Sequence, residues 1–380
     1  MKKFILSLLP GLSFIAPTNA VALPSPETAN IAPRIPSHHP CDCYLTSGSD
    51  PGYFTNYKLW DFRNVPLPHS PNHGAYGPPD ESLWETETIP LSESPFNTEW
   101  QAQSWRREKT KDNITPMVNS AQNTFFARHP QWTGTSQLVL RTTRLPGYSS
   151  TAEIESQQGN FYHCSIRVRM RLMSRDAIAR APGDMRPDNN TVPRGACAGI
   201  FTYRSATCES DLEFLTSDPP NTIHYANQPD YDAVNDIIIP GASKVVTTVP
   251  APWSSWVTHR MDWSPNVTRW YADSQLQANV SISVPDRPSL LALNLWSDGG
   301  LWTGDLAINE SVYMGIEWIE IAYNTSTAGG PPIELPPRHR HRPSKGGEGV
   351  LKHKRQFGGD EAGRDARCNR PCYLDKMQQY

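Results

Sequence analysis

The stretch CESDLEFL (208–215) sets Glu209, Asp211 and Glu213 on alternate positions, with Leu212 and Phe214 on the positions between and after them. Side chains at i, i+2 and i+4 of a strand share one face, whereas on a helix these three positions spread around the cylinder. The segment therefore reads as a strand with one acidic and one apolar face. AGIFTY (198–203), just before it, is rich in β-branched and aromatic residues, which suits a neighbouring strand. RSAT (204–207) is left as the connection, so the two segments predict a hairpin. Three like charges on one face repel one another. The pattern suits either a solvated outer face or a cleft that uses carboxylates chemically.

The same period of two recurs along the chain. TSQLVLRTTRL (135–145), AEIESQ (152–157), CSIRVRMRLM (164–173), WVTHRMDWS (256–264), VTRWYADSQ (267–275), LLALNLW (290–296) and MGIEWIEIAY (314–323) all read as strands, and so does the start of YKLWDFRNV (57–65). SRDAIARAPGDMRPDNNTVPRG (174–195) reads as a loop with a short helical turn. No helical periodicity persists and no repeat is found. Many short strands separated by turn signals predict an all-β antiparallel sandwich. The 36 prolines argue for long loops, among them a proline-rich one from Pro66, and against a helical fold. The 12 tryptophans exceed what a core alone needs and suit a cleft in which sugar C–H faces stack on indole rings. A net charge of −3 gives no pull toward nucleic acid or an anionic membrane.

Lys2 and Lys3, the apolar run 4–16 and the small residues Ala20-Val21-Ala22 form a secretory leader. No other run is long and apolar enough to span a membrane. Six Asn-x-Ser/Thr sequons and seven cysteines fit an exported, glycosylated, disulfide-bearing product. Connectivity does not follow from sequence, and Cys197 and Cys208, on opposite strands of the predicted hairpin, are one candidate pair. Cys368 and Cys372, within the C-terminal segment, are another candidate pair, and Cys41 and Cys43 lie too close to bridge each other comfortably. The expected organisation is a leader over 1–22, an extended segment over 23–55, a β domain over 56–325 and a basic Pro/Gly-rich tail over 326–380. That tail is too poor in apolar residues to order itself.

Within the β domain, Glu209-Ser-Asp211-Leu-Glu213 resembles the E-x-D-x-E signature of glycoside hydrolase family 16. This is the lichenase and laminarinase group of the concanavalin A-like jelly rolls. AGIFTY, IRVRM (166–170), WVTHRMDWSPNVTRWYADSQ (256–275) and LALNLW (291–296) resemble the family's flanking strands and occur in its order. The likeness is greatest to secreted fungal members. Cys208, where lichenases carry an acid, and Ser210 depart from the pattern and leave the acids intact. The resemblance implies that Glu209 is a nucleophile, Glu213 a general acid/base, and Asp211 a partner of both. Asn294, Trp296, Phe201, Arg169, Trp302 and Tyr225 are the expected substrate-binding residues, with His224 and Trp253 as weaker candidates. No cofactor is required. The family often holds a structural calcium, for which no ligands are identified here.

The implied function is a secreted retaining endo-β-glucan hydrolase, acting as a monomer on a polysaccharide. A cell-wall transglycosylase would use the same three acids, and a non-catalytic lectin would share the sandwich. Cα atoms at i and i+4 of a straight strand lie roughly 13 Å apart. Spacing alone therefore leaves an inverting mechanism open, and the resemblance points to retention.

Overall fold

Segments that alternate apolar and polar residues become strands. In the computed structural model these are β1 (Cys43–Leu45), β2 (Tyr53–Phe54), β3 (Asn56–Asp61), β4 (Ile89–Pro90), β5 (Trp100–Ala102), β6 (Arg106–Arg107), β7 (Met117–Asn119), β8 (Thr124–Arg128), β9 (Ser136–Arg144), β10 (Ser149–Ser156), β11 (Phe161–Met173) and β12 (Cys197–Ser205). They continue with β13 (Cys208–Leu215), β14 (Ile223–Gln228), β15 (Tyr231–Asp232), β16 (Ile237–Ile238), β17 (Ser243–Val246), β18 (Val257–Ser264), β19 (Val267–Ala272), β20 (Gln275–Val280), β21 (Leu290–Trp296), β22 (Ser311–Thr325) and β23 (Pro371–Tyr373). Among the described residues the α-helices are the short α1 (Arg175–Ala179) and α2 (Leu374–Met377). The structure describes residues 41–47, 51–68, 87–111, 113–180, 184, 188–326 and 368–377, all within the unit Pro40–Tyr380. The expected leader, most of the lead-in, most of the loop after Pro66 and residues 327–367 lie outside them.

One layer runs β17–β14–β13–β12–β21–β10–β5, antiparallel throughout. The other runs β20–β19–β18–β11–β22, and β3 and β9 pair with successive parts of the far edge of β22. Ile154, Ile200, Leu212, Phe214, Leu293 and Leu295 of the first layer meet Ile166, Val168, Met170, Met261, Trp263 and Ile319 of the second in one buried core. Burying each such side chain is worth about 1.5–3 kcal/mol. This is the all-β antiparallel sandwich that the alternation predicts. The stretch 267–275 is not one strand, because Asp273 and Ser274 take left-handed φ of 43° and 68° and turn the chain from β19 into β20.

The C-terminal expectations need correction. Cys368 and Cys372 do not pair with each other. Disulfides join Cys41 to Cys372 and Cys43 to Cys368, and β23 pairs in parallel with β1. Cys197 and Cys208 are buried free thiols. Their positions lie at opposite ends of the strands, since Cys197 registers with Leu215 and Cys208 with Ser205. Residues 368–377 dock on the outer side of the second layer. Leu374 is fully buried beside Phe54 and Ala322. Asp375 accepts from Arg167 at 2.9 Å, Arg260 at 3.0 Å and the Ser47 amide at 2.9 Å. Composition could not reveal this anchoring, because it rests on two covalent bonds, one leucine and one carboxylate and not on an apolar run.

Replacing Cys43 and Cys368 together by serine lowers stability by roughly 2–5 kcal/mol, measured by calorimetry. The Asp375 carboxyl is held down at about 2, against the cost of burial, by Arg167 and then Arg260. A depressed carboxyl stabilises the fold above its unfolded value, near 4, and loses that contribution as pH falls toward 2. Asp375→Asn therefore lowers the melting temperature at pH 7, and the gap from wild type closes near pH 2.

Candidate active site

The β12–β13 hairpin is the scaffold. Leu212 and Phe214 point into the core, so Glu209, Asp211 and Glu213 point out of the opposite face. Register places Tyr203 opposite Glu209, Phe201 opposite Asp211 and Gly199 opposite Glu213. On the other side, β14 sets Gln228, Ala226 and His224 beside the same three acids. Beyond β12, β21 brings Asn294 beside Gly199 and Ala292 beside Phe201. A Cβ on Gly199 would meet the Asn294 Oδ1 at 2.6 Å, so a larger residue there would displace the Asn294 amide. One strand further, β10 adds Glu153 next to Asn294 and Glu155 next to Ala292. The outward face thus holds five carboxyls, three on β13 and two on β10, with β12 and β21 between them, roughly 14 Å across.

These carboxyls are poorly solvated. Burial, then the nearby Asp211, raises Glu213 to about 7. Burial, then Glu155, raises Glu153 to about 7, and burial alone raises Glu155 to about 7. Glu209 is raised well above the usual carboxylate range by burial and by Asp211. Asp211 is also raised by burial, while its bonds to Glu209 and to the Gln228 amide pull it down. The Gln228 Nε2 donates to Asp211 Oδ2 at 2.9 Å. Two carboxyls in one hydrogen bond hold a proton between them.

The loop after β21 closes one end of the face. Arg107 and Asp298 form a buried ion pair at 2.7 Å. Asp298 Oδ1 also accepts from the Gly300 amide and the Thr303 hydroxyl, both at 2.9 Å. The Arg107 guanidinium lies 5.6 Å from the Trp296 ring centroid. This anchoring presents Trp302, whose indole bonds to Glu213 and packs edge-on to His224 at 4.9 Å. His224 is in turn tied to Asp218 at 2.7 Å.

Of the residues singled out from sequence, Glu209, Asp211, Glu213, Phe201, Asn294, Trp296, Trp302 and His224 come together on this face or its rim. Tyr225 does not. It registers with Leu212, is 1 % exposed, and packs on Trp270 inside the core. Arg169 does not either, because it belongs to β11 in the other layer and is bound to Glu317 at 2.9 Å. Trp253 is a core residue. Gln228, Glu153, Glu155 and Cys197 were missed. AEIES (152–156) repeats in β10 the acid alternation of ESDLE and was the signal available for Glu153 and Glu155. Among the described residues no cluster of three or more His, Cys, Asp or Glu is placed to hold a metal ion. Among them, no helix is long and apolar enough to cross a membrane.

No family model matches the chain. A beta-glucanase of Paenibacillus polymyxa is 26% identical over 149 residues, which is 37% of this chain and 57% of that protein. The beta-glucanase of Bacillus subtilis (strain 168) is 27% identical over 145 residues, 36% of this chain and 54% of that protein. The chain is similar to bacterial beta-glucanases. It spans a little over half the length of these curated relatives. Among solved structures, Bacillus licheniformis beta-glucanase aligns with a TM-score of 0.45 at 20% identity, over 62% of this chain and 97% of its own. A Bacteroides ovatus family 16 enzyme in complex with a glucan product aligns with a TM-score of 0.44 at 16% identity, over 59% of this chain and 94% of its own.

The raised carboxyls imply a stability cost at alkaline pH. A carboxyl raised in the fold favours folding below its unfolded value, near 4.5, and that advantage is lost as pH rises through about 7. Glu155→Gln is expected to be more stable than wild type at pH 8, by up to about 3 kcal/mol, with the difference vanishing at pH 4. Thermal melts across this range check it.

Proposed function

We propose that the protein is a secreted retaining endo-β-glucan hydrolase. The observation that carries the reading is the outward face of β13. There, Glu213, a carboxyl raised by burial to about 7, stands two residues beyond a hydrogen-bonded pair of carboxyls, Glu209 and Asp211. Two carboxyls with different environments are what double displacement at a glycosidic bond uses. The rows beside them contain no Lys or Arg, which suits a neutral polymer and repels a sulfated or uronate one. The names of the sequence relatives support a β-glucan as substrate, and the leader-like start supports export.

In this mechanism Glu213 gives its proton to the departing glycosidic oxygen while Glu209 attacks the anomeric carbon. The C–O bond to the leaving sugar breaks as the bond to Glu209 forms. Attack needs the proton of the Glu209–Asp211 pair to lie on Asp211. Glu213, now ionised, then takes a proton from water, and the hydroxide displaces Glu209 with the original configuration restored. In this reading Asn294 and Trp302, on the two flanks of Glu213, bind sugar hydroxyls and a ring face.

Glu209→Gln and Glu213→Gln each remove turnover of a β-glucan without unfolding the protein. Retention of more than about a tenth of the rate would mean a loss of only ~1.4 kcal/mol, too little for either role. The first sugar released is the β-anomer, seen by NMR before mutarotation. Glu213→Ala with an activated aryl glycoside and azide yields a β-glycosyl azide. An α-anomeric first product would eliminate Glu209 as nucleophile.

A further inference from the structure

We propose that Cys197 is a positioning residue for Glu213, its thiol donating a hydrogen bond that orients the carboxyl and favours its ionised form. The proposal rests on the reading of Glu213 as acid/base. Cys197 opens β12 two residues before Gly199, so its side chain shares the outward face with the acids and lies diagonal to Glu213. Its Sγ is 3.4 Å from Glu213 Oε1 and 3.7 Å from the Ala198 carbonyl. The side chain is fully buried, and burial and the Glu213 charge push the thiol far above its usual range. It therefore stays protonated, and its available chemistry toward a carboxylate is donation and not attack.

The surroundings of Glu213 leave this thiol a distinct part to play. Asp211, on the same strand, repels the Glu213 charge. Glu209 lies close enough on that strand for Glu213 to raise it. From β14, His224 favours the charge and is itself held by Asp218. From the loop after β21, the Trp302 indole donates to Glu213 and to Cys197, and the Asp298 charge reaches Cys197 while being paired with Arg107. Trp302 is 45 % exposed and lies on the rim, where a sugar competes for it. Cys197 is the donor beneath Glu213 that solvent and substrate do not reach. A residue that serves first as acid and then as base needs its two states close in energy. A buried carboxyl without a donor drifts toward the protonated state.

The test compares wild type with Cys197→Ala, Cys197→Val and Cys197→Ser. Ala and Val remove the donor, Val while keeping volume, and Ser supplies a stronger one. In kcat/KM on a soluble β-glucan, the alkaline limb reports Glu213 losing its proton. The limb moves upward by about half to one pH unit in Ala and Val, as expected for loss of a weak donor, and does not move upward in Ser. A purely structural role would lower activity without moving the limb. The second readout needs no substrate. The Glu213 carboxyl is titrated by NMR in 13C-glutamate-labelled protein, its signal assigned by its absence in Glu213→Gln. An upward midpoint in Ala and Val, reversed in Ser, supports the proposal. An unchanged or lowered midpoint in Ala and Val overturns it. If wild type hydrolyses no β-glucan, the functional reading fails, while the titration still decides whether Cys197 donates to Glu213.

Discussion

Everything at the site follows from the register of one hairpin. Leu212 and Phe214 are held in the core, and the pleat then has no choice about where Glu209, Asp211 and Glu213 point. A slip of one residue between β12 and β13 would drive three carboxyls into a core of leucine, isoleucine and tryptophan. The same slip would put Leu212 and Phe214 outside. Packing energy on one face thus enforces chemistry on the other. β14 and β21 inherit the register and deliver Gln228 and Asn294 to the acids without separate instruction.

The outward face is expensive for the fold. Five carboxyls stand in surroundings that penalise their charge, and the residues in register with them are amides, aromatics, a histidine, alanines and one glycine, with no guanidinium among them. The opposite layer handles its acids differently. There Asp262 and Glu317 meet Arg260 and Arg169, and Asp375 meets two arginines. Paired acids keep their charge and stabilise, whereas unpaired ones surrender it readily. A proton donor that works near neutrality can be built only on the second kind of face.

Strand identity and the acidic face were legible because both depend on a period of two, which survives in the bare sequence. The Gly199–Asn294 approach was not, since it depends on which distant strands become neighbours. Arg169 and Tyr225 were misplaced for a related reason. A strand with buried residues on both faces does not announce which layer it enters, and Tyr225 sits on the core-facing side of β14 although its neighbours His224 and Ala226 face the acids. Glu153 and Glu155 were written in the same alternation as the motif acids but had no family signature to draw attention to them. The cysteine pairing was hidden because proximity in sequence misleads where the bonds join residues 331 and 325 positions apart.

Those two bonds also change what a break in the chain means. They join Cys41 and Cys43 to Cys372 and Cys368, so the polypeptide from 43 to 368 is a covalently closed ring. A protease that cuts once anywhere on that ring, including the basic stretches near residues 340 and 353, opens the ring and frees no fragment. The product keeps the mass of the intact protein plus one water and runs as two pieces only after reduction. The C-terminal strand and helix would stay on the domain as a separate chain, held by the same leucine and carboxylate as before.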